Sequence, residues 1–360
     1  MAFCEDLQVF DTNFDKQKLQ YHVAAVSRWL EKGLTRGPIY TEMELSTRCN
    51  CRCIFCGVDY LVNTSDDAIS AEAARRILTE LHGMGNKAVM FSGHGESLLN
   101  PAAGEIIGFA SGLMSTSVTT NGLSLDEANL PLIDGLEWIR FSINGCDAAN
   151  YAEVHGVAPE MFDRVMGNVA AAVERKRKLH LGVTIGSQLV LLNENAAGVP
   201  KLARALKDIG VNYFSVKPYS RHPLCKHHLD VDYGAFAGLD RELAALEDDS
   251  FKVIYRAASM TKAGRPKPYG KCYGTHFLCF VSANGDVWEC NVFAGDPRFL
   301  IGNAIREHLP DIWSGPRRRQ VLEFIEREMK IDECRDICRM DECNRYLWRL
   351  KHPWPHDNFV

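Results

Sequence analysis

No stretch of this 360-residue sequence reaches the roughly 18 consecutive apolar residues that a membrane-spanning helix needs, so the sequence offers no such span. Its first residues, MAFCEDLQVFDTNFDKQK, lack the charged-then-apolar pattern of a secretory signal. Basic residues are not in excess: 41 Lys and Arg stand against 46 Asp and Glu, a net charge of −5. That balance removes the electrostatic footprint of a protein that binds nucleic acid or an acidic membrane surface. Internal repeats and low-complexity tracts are missing as well. The expectation is a cytoplasmic globular protein with no nucleic-acid and no membrane partner. A composition of 46% hydrophobic and 24% charged residues agrees with it.

Cysteine, by contrast, is abundant. There are 13, and they are unevenly placed. Four lie within STRCNCRCIFCGVDY (46–60) and six between positions 272 and 343, while Cys4, Cys146 and Cys225 stand alone. In a reducing compartment this many thiols argue for metal or thiol chemistry rather than a disulfide framework.

Residues 1–38 read as a polar helical extension. From position 39 short β-rich runs alternate with amphipathic helical stretches. IYTEMEL (39–45) is a strand, and AISAEAARRILTELHGMG (68–85) a helix with Ile69, Ala73, Ile77, Leu78 and Leu81 at helical spacing and Gly83 as its stop. KAVMFSG, TSVTTNG, WIRFSING, residues 180–192 and YFSVKPYS supply five further strands, each followed or preceded by a helical segment. Such strand-then-helix repetition implies parallel pairing with right-handed crossovers. The fold class expected is α/β, a partial (β/α)6 TIM barrel over 39–220. A helical connector over 221–264, a small α+β domain over 265–345 and a tail over 346–360 complete the chain. Catalytic groups of such a barrel belong on the loops after the strand C-termini. Here those loops hold the cysteine cluster, SGHGES, TTNG, SINGCD and VKPYSRHP. A hairpin in the C-terminal part is expected to turn at Asn284-Gly285.

Cys49, Cys53 and Cys56 form C-x3-C-x2-C just after the first strand. Zinc prefers four protein ligands, and no fourth completes a knuckle nearby. Three thiolates on one loop instead suit a 4Fe–4S cube with one iron left open. This spacing, with aromatic Phe55 before the third cysteine, resembles the signature of the radical S-adenosylmethionine (SAM) superfamily. SGHGESLLNP resembles that family's Gly-Gly-Glu-Pro motif through Gly95 and Glu96, with His94 and Ser97 replacing the first Gly and the Pro. VTTNG, containing Asn121, and FSING, containing Ser142 and Asn144, resemble its third and fourth strand ends. The resemblance implies that Glu96 receives the SAM amino group and that Ser142 and Asn144 are candidates for its ribose or carboxylate. It implies reductive cleavage of SAM to a 5′-deoxyadenosyl radical that abstracts hydrogen from carbon, with flavodoxin or ferredoxin as electron donor. Cys51 lies off the motif's spacing and reads as a bystander.

Cys272, Cys290, Cys334 and Cys338, with Gly285 between the first two, resemble the twitch or shortened SPASM extension of such enzymes. One auxiliary 4Fe–4S cluster is implied, with Cys343 an alternative ligand. A structural zinc site also suits two separated cysteine pairs. Twitch-bearing relatives act on carbohydrate, aminocyclitol or nucleoside intermediates of natural-product (antibiotic) biosynthesis, so such a small molecule is the expected partner. An epimerase ranks first, with Cys225 or Cys279 returning hydrogen from a thiol. A dehydrogenase follows, with Lys217 as base and the auxiliary cluster as electron acceptor. A peptide-modifying maturase ranks third, because no winged-helix peptide-recognition domain and no second auxiliary cysteine set are evident. Tyr219, Arg221 and His222 are further substrate contacts, and His94 and His155 weaker ones.

Overall fold

Alternation of apolar and polar residues along short strands separates an inner from an outer face of one sheet. The structure, a computed structural model, describes residues 18–262 and 264–359. Cys4 and the first part of the expected N-terminal extension lie outside the described residues. After helix α1 (Val23–Lys32), strands β1 (Tyr40–Met43), β2 (Ala88–Phe91), β3 (Ser115–Thr120), β4 (Trp138–Ser142), β5 (Thr184–Leu191), β6 (Tyr213–Pro218) and β7 (Lys252–Tyr255) pair in chain order, all parallel. Between them run α2 (Ala71–Met84), α3 (Ala103–Ser111), α4 (Ala148–His155), α5 (Met161–Leu179), α6 (Val199–Ile209) and α7 (Leu239–Ala244). Outer-face residues such as Met43, Val89, Phe91, Ile139, Phe141 and Phe214 are fully buried in one core with Ile77, Leu78, Ile106, Val169 and Leu206 of the helices. The other face carries Glu42, Ser117, Arg140, Gln188, Ser215 and Lys217, so the interior of the partial barrel is polar.

The architecture is the expected α/β partial barrel, with one more strand than the six read from the sequence. Segment 221–264, read as a helical connector, contains β7, which continues the sheet beside β6 with Tyr213 opposite Lys252. KVIY is four residues long, too short to show a period of two. Helix α2 runs past Gly83 and stops at Gly85, whose φ of +93° needs a glycine.

Helix α8 (Ala257–Met260) leads into the C-terminal unit. There β8 (Leu278–Val281) and β9 (Asp286–Trp288) form the expected hairpin, with Gly285 at φ +86° in its turn, and β10 (Leu300–Asn303) pairs antiparallel with β9. The unit is not a separate appendage. Strand β8 lies parallel to β1, Thr41 opposite Cys279, so a single ten-stranded sheet runs β10-β9-β8-β1-β2-β3-β4-β5-β6-β7. Helices α9 (Leu309–Ser314), α10 (Pro316–Arg327) and α11 (Asp341–Lys351) complete it. Helix α1 packs here through Trp29, which meets Tyr273, Phe277 and Leu347 in a second apolar cluster. No helix among the described residues is long and apolar enough to cross a membrane.

The C-terminal unit has a charged pair at its centre. Arg318 of α10 donates to both carboxylate oxygens of Glu289, at 2.8 and 3.0 Å, and lies 3.5 Å above the Trp313 ring. Both side chains are fully buried, and Glu289 precedes Cys290. Replacing one partner leaves a buried charge without compensation, which typically costs about 3–5 kcal/mol. Arg318→Leu is therefore expected to lower unfolding stability by about that much, measured by chemical denaturation. The double variant Glu289→Leu/Arg318→Leu is expected to recover most of the loss. Equal stability of Arg318→Leu and wild type would contradict the assignment.

Candidate active site and cysteine centres

The first cysteine loop leaves β1 and folds back onto the end of α4. Arg52 N–H donates to His155 O at 2.8 Å and Ile54 N–H to Val154 O at 3.0 Å. Cys49 N–H donates to Asn63 Oδ1 at 2.9 Å, and Arg52 Nη1 donates to the carbonyls of Cys49 and Cys51 at 2.8 and 2.9 Å. These bonds hold the thiols of Cys49, Cys53 and Cys56 half-buried on one short loop. Cys51 is drawn into the group as well: it is buried, and its N–H donates to Cys49 Sγ at 3.5 Å. Cys51 Sγ, Cys53 Sγ and His155 Nδ1 all lie within 4.8 Å of one another. Contact with Cys51 and burial push the Cys49 thiol far up, and burial pushes Cys56 up to about 11. The Cys49 and Cys56 thiols are therefore neutral until a cation takes them, as in metal sites that release protons on loading.

The neighbouring loop is tied to the first by carboxylates. Glu44, just past β1 and buried, accepts from His94 N–H at 2.7 Å and Gly95 N–H at 3.1 Å on one oxygen, and from Ala283 N–H at 3.2 Å on the other. Burial alone would raise its pKa, but these donors and the His94 ring hold it below the usual carboxylate range. Gly95 allows the close approach: a Cβ there would sit 2.2 Å from Ser46 O and 2.6 Å from Arg48 O. Glu96, also buried, accepts from Thr120 Oγ1 at 2.8 Å, Asn121 N–H at 2.8 Å and Leu98 N–H at 3.1 Å. Burial raises its pKa. Asn121 in turn donates through Nδ2 to Asn50 Oδ1 at 2.6 Å. Thus Gly95, Glu96 and Asn121 are gathered beside the cysteine loop.

His155 connects the fourth strand end to the same loop. Asn144 N–H donates to His155 Nε2 at 3.0 Å, and His155 Nδ1 lies 3.4 Å from Cys53 Sγ. Burial lowers its pKa to about 3, so the ring is neutral. An Nε2 that accepts leaves the proton on Nδ1, which points at sulfur. Phe55 packs edge-on against the ring, centroids 5.9 Å apart. Asn144 is buried and accepts from Val190 N–H at 2.7 Å, while Ser142 accepts from Gln188 Nε2 at 2.9 Å.

In the C-terminal unit Cys272, Cys290, Cys334 and Cys338 line one apolar cavity, with Tyr269, Met340 and Asn344 in its wall. Asn344 Nδ2 donates to Cys272 Sγ at 3.3 Å and Met340 N–H to Cys338 Sγ at 3.4 Å. Burial raises all four thiols, Cys272 to about 11 and Cys334 to about 12. Four neutral thiols around one cavity that no carboxylate lines are a donor set for a sulfur-ligated cluster. Cys343 does not line this cavity; it packs against the Trp29–Tyr273 cluster.

The superfamily model described as radical SAM matches residues 43–206, and an iron–sulfur cluster-binding domain model, SPASM, matches residues 272–344. The chain carries a radical SAM domain and a SPASM domain. These domains imply a SAM-binding 4Fe–4S cluster, an auxiliary 4Fe–4S cluster and SAM, and the cysteine sets just described fit both clusters. Among curated relatives, a GTP 3′,8-cyclase of Chlorobaculum tepidum is 22% identical over 58% of this chain and 61% of its own length. The chain thus spans less than two thirds of that relative. A PqqA peptide cyclase of Methylorubrum populi is 31% identical over 33% of this chain and 32% of its own. A Pyrococcus furiosus protein named for modifying the cofactor of tungsten-containing aldehyde ferredoxin oxidoreductase is 22% identical over 85% of this chain and 88% of its own. Among solved structures, Streptococcus suis SuiB bound to S-adenosylmethionine shares 18% identity at a TM-score of 0.67, covering 94% of this chain and 80% of its own. The AdoMet-bound anSMEcpe shares 16% at 0.57, over 90% and 98%. These structures agree with the partial-barrel fold.

Of the side chains expected at the substrate, the segment after β6 brings Cys225 to the cysteine loop, where its thiol donates to Cys56 O at 3.2 Å. Cys279 is not brought there. It pairs with Thr41 on the outer face of β8 and is fully buried in the core, because one step along a strand reverses the side. Tyr219 donates to His227 O at 3.1 Å, and His222 is fully buried against Val292 O and the Tyr60 ring, so both are structural. Glu44, Arg140, Arg256 and Arg335 went unremarked in the sequence; the only signal was the inward register of WIRFS and the position of Arg335 after Cys334.

Lys217 is largely buried, and burial followed by Arg140, Arg335 and Arg256 pushes it down to about 7. Unfolded, it titrates near about 10.4, so between these values the unfolded chain binds more protons and stability rises with pH. Lys217→Met removes that dependence. Its stability relative to wild type is expected to be higher at about pH 6 than at about pH 9 in denaturant titrations. The same relative stability at both pH values would contradict a depressed Lys217.

Proposed function

We propose that this radical SAM enzyme modifies a peptide by abstracting hydrogen from one of its carbon atoms. The observation that carries the reading is the match to a peptide cyclase, 31% identical over 123 residues, in a chain that also has a SPASM domain. Cys49, Cys53 and Cys56 would hold the SAM-binding cluster, and Cys272, Cys290, Cys334 and Cys338 the auxiliary one, with Cys343 outside it. When bound and reduced, this cofactor set supplies a 5′-deoxyadenosyl radical.

The chain's own residues prepare the site. Glu96 offers a buried carboxylate, and a cationic amino group beside it would offset the burial that raises its pKa. Gly95 lets that carboxylate's loop lie directly on the cysteine loop. Ser142 and Asn144 place a hydroxyl and an amide at the end of β4 for the SAM ribose or carboxylate. Tyr151 stacks on His155 at 4.1 Å and Phe55 meets the ring edge-on, fixing it beside the loop. The Cys225 thiol, which donates to Cys56 O, has no part in a two-hydrogen loss and would return a hydrogen atom only in an epimerisation.

A second reading keeps a carbohydrate, aminocyclitol or nucleoside as substrate, with epimerisation through Cys225 or oxidation to a ketone. The polar, cation-rich inner face of β4 and β6 favours it. The anaerobically reconstituted enzyme separates the two. With SAM, a reductant and short peptides encoded beside its gene, the expected result is peptide-dependent 5′-deoxyadenosine and a peptide lighter by two hydrogens. Turnover only with sugars or nucleosides would overturn the peptide reading. In heavy water, one deuterium gained there would mark an epimerase, and loss of two hydrogens a dehydrogenase.

A further inference from the structure

Four cations converge at the barrel mouth opposite the first cysteine loop. Lys217 sits near the end of β6, in register with Val190 of β5. Arg256 follows β7, its N–H donating to Val216 O at 2.9 Å, which sets it beside Lys217. Arg140 reaches in from β4. Arg335 comes from the C-terminal unit and donates through Nε to Ser220 Oγ at 2.6 Å and through Nη2 to Ser220 O at 3.2 Å. All three guanidinium groups act on the Lys217 amine.

No anion among the described residues balances that amine. Lys217 has neither a hydrogen-bond acceptor nor a carboxylate partner there, and Arg140 donates to Thr119 Oγ1 at 3.2 Å while its Nε is buried without a partner. Of the carboxylates around these cations, Asp336 is exposed and lines a cleft with Arg256, and three others are engaged elsewhere. Glu42 accepts from Tyr40, Arg339 and Asn291, and Asp341 and Glu342 take Lys262 at 2.9 and 2.7 Å. Like charges gathered around one partly buried amine repel, and an unpaired buried charge is costly. The Lys217 amine has no counter-ion among the described residues.

Its position says what the counter-ion belongs to. A Cβ on Gly57, the residue after Cys56, would lie 3.3 Å from Arg335 Nη2, and Arg335 itself follows Cys334. A group held by these cations therefore lies between the two cysteine sets. We infer that Lys217, Arg140, Arg256 and Arg335 form a subsite for an anionic group of the substrate, a carboxylate or a phosphate. This rests on the reading of the barrel as the substrate cavity of a radical SAM enzyme. It also changes the part expected of Lys217. An anion beside the amine stabilises its protonated form, making it an anchor rather than a base.

The test uses enzyme loaded with both clusters. Inorganic phosphate and, separately, acetate are titrated calorimetrically with and without saturating SAM. One anion is expected per chain, bound with or without SAM. Lys217→Gln and Arg140→Gln are each expected to weaken it at least about tenfold, since charge-assisted bonds are lost. Lys217→Arg should retain most of the affinity, and Lys178→Gln, an exposed position on α5, all of it. Tighter phosphate binding marks a phosphorylated substrate, and tighter acetate binding a carboxylate. Absence of saturable binding, or affinity unchanged in Lys217→Gln with native cluster absorbance, overturns the subsite. So does displacement of the anion by SAM, which would assign the cations to the carboxylate of SAM itself. SAM cleavage with dithionite is followed in the same wild-type preparation. Cleavage without anion binding sinks the subsite alone, whereas anion binding without cleavage sinks the radical SAM reading and leaves the cations to some other ligand.

Discussion

The parallel ladder between β8 and β1 is the constraint on which the rest depends. Strand β1 has a barrel strand on one side and the C-terminal hairpin on the other, with Tyr40 opposite both Ala88 and Leu278. The two cysteine sets, more than two hundred positions apart in sequence, are thereby built on neighbouring strands of one sheet. Glu44 secures the junction. A single buried carboxylate takes N–H groups from the SGHGES loop and from Ala283 beyond β8, so the loop beside the first cysteines and the hairpin leading to the second share one acceptor. Charge-assisted bonds of this kind are stronger than neutral ones, and their loss would leave a buried anion unsatisfied.

Around that junction the two faces of the sheet have divided tasks. The outer face is apolar and sealed by helices. The inner face presents hydroxyls, amides and cations among a few apolar side chains such as Met90 and Val190. Burial helps keep Cys49, Cys56 and the four thiols of the C-terminal cavity neutral and ready to exchange protons for iron. His155 shows how closely the parts are joined: one neutral ring links the end of β4, through Asn144, to Cys53.

Much of this was legible in the sequence, because the informative residues are those with narrow geometric requirements. The cysteine spacing, the glycines of SGHGES and the Asn284-Gly285 turn each permit few arrangements, and they placed the barrel, the first cysteine loop and the hairpin. Strand β7 escaped because four residues carry too little periodicity. Gly83 misled as a helix stop because a glycine on an exposed helix face looks the same in sequence as one at a left-handed cap. Cys279 was expected at the substrate for want of the strand's phase, which depends on its register with β1. Glu44 and the three arginines were invisible for a related reason: their meaning lies in which remote backbone or charge each one faces.

Electron paramagnetic resonance of the reconstituted, dithionite-reduced protein, recorded with and without SAM, tests the central claim most directly. Two distinct 4Fe–4S signals are predicted. One should shift on adding SAM and be lost in Cys56→Ala; the other should ignore SAM and be lost in Cys334→Ala. A single cluster signal, two signals that both ignore SAM, or bound zinc in place of iron would contradict the account.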